Sequence, residues 1–176
     1  VKTIEVIQNV DSTIDIVRQN FNEDLFRFLN ANYFALKVER FDGVNVGDRF
    51  KIDLTGGVVS LALQQAAKIV PAILLGGHNL ENLKLIWEGE IVEAGENMGG
   101  FYFIDIGFNL PFPIRSWKHL HRSVPNTLKG GVDIIDHLEF ESSISLLEMP
   151  LALGFTQMLN QRGPKYKEYF QKIVKN

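Results

Sequence analysis

His119 and His121 stand two residues apart in the run Trp117-Lys118-His119-Leu120-His121, with Asp105 upstream and Asp136 downstream. On a β-strand alternate side chains share a face, so both imidazoles and Trp117 point the same way. A carboxylate beside an imidazole fixes its tautomer and raises its pKa. General-base chemistry needs both, with His119 as the base and Asp136 as its orienter. The same polar group can orient the polar end of a bound small molecule. His-x-His with Asp105 also supplies the ligand types of a two-histidine, one-carboxylate metal site. That spacing recurs by chance, and neither a metal nor a cofactor is expected. A structural role competes with all of these, because buried polar side chains satisfy one another and a His–Asp pair between neighbouring strands sets register.

The elements that must position these residues read mostly as strands. Residues 2–8 are β-rich. Asp11 and Ser12 then read as a helix start, with Asp15 completing a weak capping box, before short helices over 13–19 and 23–30. Strands follow at 35–41, 49–54, 83–93, 100–108, 114–124 and 132–141, separated by glycine-rich or proline-bearing turns. Such short connections favour antiparallel pairing. Alternation turns Leu83, Leu85, Trp87 and Ile91 inward in the fourth strand, against Lys84, Glu88 and Glu90. In the fifth it turns Phe101, Phe103 and Asp105 inward, although Tyr102, Ile104 and Ile106 are also apolar. Arg115, Trp117, His119 and His121 share the inner face of the sixth strand. In the seventh, Asp136 shares the parity of Val132, Ile134, Leu138 and Phe140, and His137 points outward.

The chain ends in a helix. Pro150 suits a first turn, and Leu151, Phe155, Met158 and Leu159 fall on one face. Gly163-Pro164 should break or kink it, with the pattern resuming at Tyr166, Phe170, Ile173 and Val174. A single curved sheet leaves a concave face uncovered, and the last helix is the element available to cover it.

Residues 56–82 form an apolar insertion between the third and fourth strands. Within it, 58–75 reads as helix, with Ser60, Gln64, Lys68 and Pro71 on a narrow polar stripe. It is expected to be buried, as a lid over a cavity mouth or in a homodimer interface; contact with a membrane surface is the alternative. A bilayer span fits poorly, because Gln64, Gln65, Lys68 and Pro71 interrupt a run already at the short end.

Composition sets outer bounds. The 176 residues suit one domain spanning 1–176, and 45% hydrophobic with 22% charged residues excludes a disordered chain. A net charge of −3 disfavours nucleic-acid binding through a broad basic surface. The absence of cysteine removes disulfides, thiolate metal sites and a cysteine nucleophile. No basic-then-apolar signal opens the chain, which fits a cytoplasmic location. The 13 phenylalanines suit a large core or an apolar cavity.

Three segments in order carry a family resemblance. They are the aromatic strand Phe101-Tyr102-Phe103-Ile104-Asp105, the turn Leu110-Pro111-Phe112, and Trp117-Lys118-His119-Leu120-His121, with Trp87 before them and Asp136 after. Together they resemble the SRPBCC superfamily, the START-like, helix-grip ligand-binding proteins. The likeness covers nearly the whole chain apart from about 56–82. It implies an α+β helix-grip fold: a seven-stranded curved antiparallel sheet wrapped around a C-terminal helix, with two short helices after the first strand. It also implies a cavity between sheet and helix for lipid-, sterol- or polyketide-like molecules. Carriers, cyclases and hydrolytic enzymes share the fold, so fold alone does not give function. The leading expectation is a non-enzymatic binder or carrier of an apolar small molecule. Trp87, Phe101, Phe103, Trp117, Leu138 and Phe140 would line its cavity, and Asp105, His119, His121 and Asp136 would orient the ligand. The alternatives are a cyclase- or dehydratase-type enzyme using His119 and Asp136, and an interaction module that docks through 58–75.

Overall fold

The computed structural model describes residues 1–30, 37–53 and 86–175. Seven strands, β1 (Lys2–Val10), β2 (Lys37–Phe41), β3 (Arg49–Asp53), β4 (Ile86–Asn97), β5 (Gly100–Asn109), β6 (Ile114–Pro125) and β7 (Val132–Ser142), form one sheet in the order β1-β7-β6-β5-β4-β3-β2. Every neighbouring pair is antiparallel. Two short helices, α1 (Ile14–Gln19) and α2 (Glu23–Asn30), follow β1, and a long helix, α3 (Glu148–Lys175), closes the chain. This is the helix-grip fold. The expected insertion helix at 58–75, with its lid, dimer and membrane readings, lies outside the described residues.

Bulges bend the long strands. The register shifts between Glu88 and Gly89, between Ile91 and Glu93, and between Ile114 and Ser116. Each extra residue kinks its strand and increases twist, which curves the sheet around α3. The last of these bulges corrects one expectation. Arg115 does not share the inner face with Trp117: it is two-thirds exposed and pairs with Glu141. Period-two alternation fails there because the bulge inserts an odd residue.

The start of α1 also differs from its sequence reading. Thr13, not Ser12, is the N-cap, and its side chain accepts a hydrogen bond from Ile16 N at 3.3 Å. The Ser12 amide instead closes a turn onto the Val10 carbonyl at 3.1 Å, holding Ser12 outside the helix.

Two core clusters pack on the sheet's concave face. One joins Val10, Val17, Leu25, Phe101, Phe103, Ile134, Tyr166 and Phe170 beneath α1, α2 and the C-terminal half of α3. The other joins Ile4, Trp87, Trp117, Leu138, Phe140 and Leu159 beneath the first half of α3. Lys165 ties α3 to α2 by donating to the Leu29 carbonyl at 2.7 Å, where the last carbonyls of α2 lack helical partners and favour a cation.

The break expected at Gly163-Pro164 does not occur. The helix runs unbroken from Glu148 to Lys175 with Pro164 inside it. Proline lacks the N–H that would bond the Asn160 carbonyl, and its ring crowds that carbonyl. The repair comes from β1. Gln8 Nε2 donates to the Leu159 carbonyl at 2.9 Å and lies 3.4 Å from the Asn160 carbonyl. Gly163 makes room for it, since a Cβ there would fall 1.8 Å from Gln8 Oε1. A side chain 151 residues away in sequence thus restores bonding that the helix cannot supply for itself.

Gln8→Ala should therefore cost about 1–2 kcal/mol in urea unfolding, the range for a lost hydrogen bond that strands a part-buried acceptor. In a Pro164→Ala background, where residue 164 regains its N–H, that cost should shrink. A double-mutant cycle reads the coupling directly; additive effects would show that Gln8 does not serve the proline position.

Candidate functional site

Strand pairing sets the site. Asp105 of β5 lies directly opposite His119 of β6, and His121 lies opposite Asp136 of β7. All four side chains fall on the concave face, which places the two imidazoles between two carboxylates. His121 Nε2 is 3.1 Å from Asp105 Oδ2, and His121 Nδ1 is 3.1 Å from Asp136 Oδ1. His119 Nε2 is 3.0 Å from the same Asp136 oxygen, while its Nδ1 is 3.9 Å from Asp105 Oδ2. The other Asp105 oxygen accepts a hydrogen bond from Trp117 Nε1 at 3.0 Å. Phe103 stacks on the His121 ring at 4.5 Å between centroids, and Trp117 meets His119 edge-on.

The group is deeply buried. Asp136 has no exposed surface, and Asp105 and His119 are each 3% exposed. The contacts to Asp136 are close but poorly aligned. Both its oxygens, His119 Nε2 and His121 Nδ1 are buried without a well-directed hydrogen bond. A third cation approaches from α3, where Arg162 Nη1 is 3.6 Å from Asp136 Oδ1. Burial alone would raise the Asp136 pKa. Its contacts with His119 and His121, together with the Arg162 charge, outweigh burial and hold it well below the usual carboxylate value. Burial likewise lowers both imidazoles. In His121 the bonds to Asp105 and Asp136 win and the pKa is raised. In His119 burial is reinforced by the charge of His121, and the pKa is lowered. Tyr166, beside Asp136 and Arg162, is pushed far up by burial, so its phenol stays protonated.

The cluster forms one side of a cavity of about 520 Å³ between the sheet, α2 and α3. Trp87, Phe103, Asp105, Trp117, His119 and His121 line it, as the sequence reading placed them. Four other expected residues do not. Asp136 lies behind the histidines. Leu138 and Phe140 have no exposed surface and pack in the cluster with Leu159 and Phe155 of α3, and Phe101 packs against Phe21 and the Arg18 guanidinium. They face inward but are buried beneath other side chains, so inward parity is not access.

The sequence reading missed the contribution of α3. Gln157, Gln161, Arg162 and Tyr166 line the cavity from the helix, and α2 adds Leu25, Phe26 and Leu29. The signal was present. Phe155, Met158, Leu159, Arg162 and Tyr166 keep helical spacing, and Arg162 is the one charge in that stripe. An expected break at Pro164 separated Arg162 from Tyr166 and hid the continuity. Among the described residues, the oxygens of Tyr166 and Gln161 are buried without a well-directed hydrogen-bond partner. Arg162 and Tyr166 lie beside Asp136, and most of the remaining lining is aromatic and aliphatic. The outer acidic residues have ordinary surface roles: Glu88 and Glu90 pair with Lys51 and Arg49, and His137 lies outside between Glu5 and Glu139.

Replacing Asp136 by Asn should cost about 3–5 kcal/mol in urea unfolding, the range for removing one partner of a buried ion pair. The histidines set the pH dependence of the metal-free protein. His121 holds its proton more tightly folded than unfolded, so its contribution is full below the ordinary histidine pKa. That contribution disappears as pH rises through the raised value. His119 resists protonation, so it costs stability as pH falls below the ordinary histidine value. The Asp136 contribution is present above the ordinary carboxylate range and is lost as pH falls below that range through the depressed folded value. Histidine ring NMR should show one imidazole of the pair titrating above the ordinary value and the other below it. Two ordinary titrations would contradict the buried pairing.

No family model matches the sequence, and no curated protein matches it. Solved structures do. A ginseng major latex-like protein from Panax ginseng superposes with a TM-score of 0.61 at 10% identity, over 96% of this chain and 97% of that one. Norcoclaurine synthase from Thalictrum flavum, in complex with dopamine and hydroxybenzaldehyde, gives 0.61 at 11% identity over 97% and 87%. A protein from Mycobacterium smegmatis gives 0.60 at 12% identity over 97% and 92%. At this identity the likeness concerns architecture, and it spans nearly the whole of each chain. The chain therefore shares the helix-grip architecture of these structures, the fold expected from its aromatic-Asp, Pro-Phe and Trp-x-His-x-His segments.

Proposed function

We propose that this protein binds an apolar small molecule carrying one polar end, and that binding requires no catalysis. The cavity carries the reading. Its wall is aromatic and aliphatic over most of its area, with a small number of polar groups among the lining residues, the usual form of a small-molecule site. Arg162, Tyr166 and Gln161 offer the cavity two donors and an acceptor, and among the described residues neither oxygen has a well-directed hydrogen-bond partner. A ligand hydroxyl, carbonyl or carboxylate would satisfy them, while its apolar body lies against Trp87, Trp117, Phe26 and Phe155. The complex of norcoclaurine synthase with dopamine and hydroxybenzaldehyde supports a small-molecule occupant for a cavity of this architecture.

The cyclase or dehydratase reading has less support. A general base needs a ring nitrogen free to meet a substrate proton. Both nitrogens of His119 already face carboxylates, at 3.0 and 3.9 Å. Among the described residues no helix is long and apolar enough to cross a membrane.

A naphthalene-sulfonate dye titrated into the protein should bind with enhanced emission and compete with long-chain fatty alcohols. Native mass spectrometry of fresh protein should show a co-purifying small molecule. Gly154 lines the cavity, and a Cβ there would meet open space, so Gly154→Trp should lower dye affinity at least about tenfold without lowering stability. His119→Ala should leave most of the affinity. Failure of the wild type to bind dye or retain any small molecule would remove the proposal. Equal binding by Gly154→Trp would place the dye elsewhere.

A further inference from the structure

We propose that Asp105, His119 and His121 form a binding site for one divalent transition-metal ion, facing the cavity. One ligand atom from each residue lies within 4.8 Å of the others. Bonds of about 2.0–2.2 Å would set neighbouring ligand atoms roughly 3–3.5 Å apart. The approach of Asp105 Oδ2 to His121 Nε2, at 3.1 Å, falls within that spacing, and its approach to His119 Nδ1, at 3.9 Å, is longer. A small rotation of the His119 ring completes the set.

The surroundings of the three residues carry the argument further than the spacing does. Four imidazole nitrogens face carboxylate oxygens, but two neutral imidazoles own only two N–H groups. Two ring lone pairs are then turned toward acceptors. The well-directed contact is His121 Nε2 to Asp105 Oδ2, and a modest turn of both rings that aims their N–H groups at Asp136, already 3.0 and 3.1 Å away, would bring the two lone pairs to the Asp105 side. A cation there satisfies both lone pairs and Asp105 Oδ2 together. Asp136 becomes the outer carboxylate that orients both imidazoles, the arrangement metal-binding histidines commonly use. Trp117 holds the remaining Asp105 oxygen at 3.0 Å, so Oδ2 is the oxygen turned toward the two imidazole nitrogens. Among the described residues no Lys or Arg pairs with Asp105, whereas Arg162 approaches Asp136. The negative charge left for a metal is thus on the correct carboxylate. Two nitrogens and one oxygen suit Zn²⁺, Fe²⁺ or Co²⁺ better than the oxygen-seeking Mg²⁺ or Ca²⁺. All three residues line the cavity, so open coordination positions would face whatever occupies it.

The test uses the full chain, freed of metal by dialysis against EDTA. Zn²⁺ is titrated calorimetrically, and Co²⁺ by its visible absorption. One ion per chain, a Zn²⁺-dependent rise in Tm, and Co²⁺ bands of a nitrogen–oxygen site are expected. Asp105→Asn keeps the side chain's size and its acceptor for Trp117, and His121→Gln removes a ligand. Each should lower affinity at least about tenfold, the lower bound already seen for outer partners of metal ligands. If His121→Gln fails to fold by circular dichroism, Asp105→Asn decides. His137→Ala, on the outer face, should change nothing. Absence of stoichiometric Co²⁺ binding, equal binding by Asp105→Asn, or loss of binding in His137→Ala would each overturn the proposal. Dye uptake is measured separately, so failure of the metal site and failure of the apolar-ligand reading are told apart.

Discussion

Asp136 is an ionised carboxylate with no exposed surface, and much of the molecule is arranged around that fact. An uncompensated buried charge is far too costly to persist, so counter-charges must reach it from several directions. The two imidazoles come from the adjacent strand through its register, and the guanidinium of Arg162 comes from α3. The carboxylate therefore constrains more than its own strand. It demands that β6 and β7 keep one pairing, because a one-residue slip would turn the histidines outward. It also demands that α3 cross the sheet where Arg162 can reach.

The path of that helix is what leaves a cavity. Leu159, Tyr166 and Phe170 press against the sheet with no exposed surface, while Phe155 wedges among Trp87, Trp117 and Phe140. Between those contacts and α2 the concave face is not filled. An α3 broken at Pro164 could not hold Arg162 and Tyr166 on one rigid face. Gln8 prevents the break by bonding the stranded carbonyls, and Gly163 admits the Gln8 side chain. A contact outside the cavity thus sets the geometry inside it. Lys165 adds a second brace by holding the end of α2, another cavity wall, against α3.

Cavity and polar cluster depend on each other. Phe21 and Phe103 pack their rings on His121 and Trp117 packs on His119, so the polar cluster sits in largely apolar surroundings. That low-polarity surrounding pulls the two histidines apart in proton affinity although they share both partners. The difference arises from contact geometry: His121 meets both carboxylates at 3.1 Å, whereas His119 is 3.9 Å from one of them.

The sequence alone determined the strands, their order and the facing of most side chains, because alternation and turn chemistry are local properties. It brought Asp105, His119, His121 and Asp136 to one face, since parity within a strand needs no knowledge of the partner strand. It did not foresee the bulge that turns Arg115 outward, which depends on pairing with β7. It could not separate Trp87 and Trp117, which line the cavity, from Leu138 and Phe140, which are sealed beneath α3. Both pairs have the same inward parity, and only the position of the helix tells them apart. Above all, it could not give α3 its continuity. Proline is a helix breaker in every local reckoning, and the Gln8 amide that offsets it arrives from the opposite end of the chain. The strands were legible because near neighbours make them; the site was completed by contacts between distant residues, which exist only once the chain has folded.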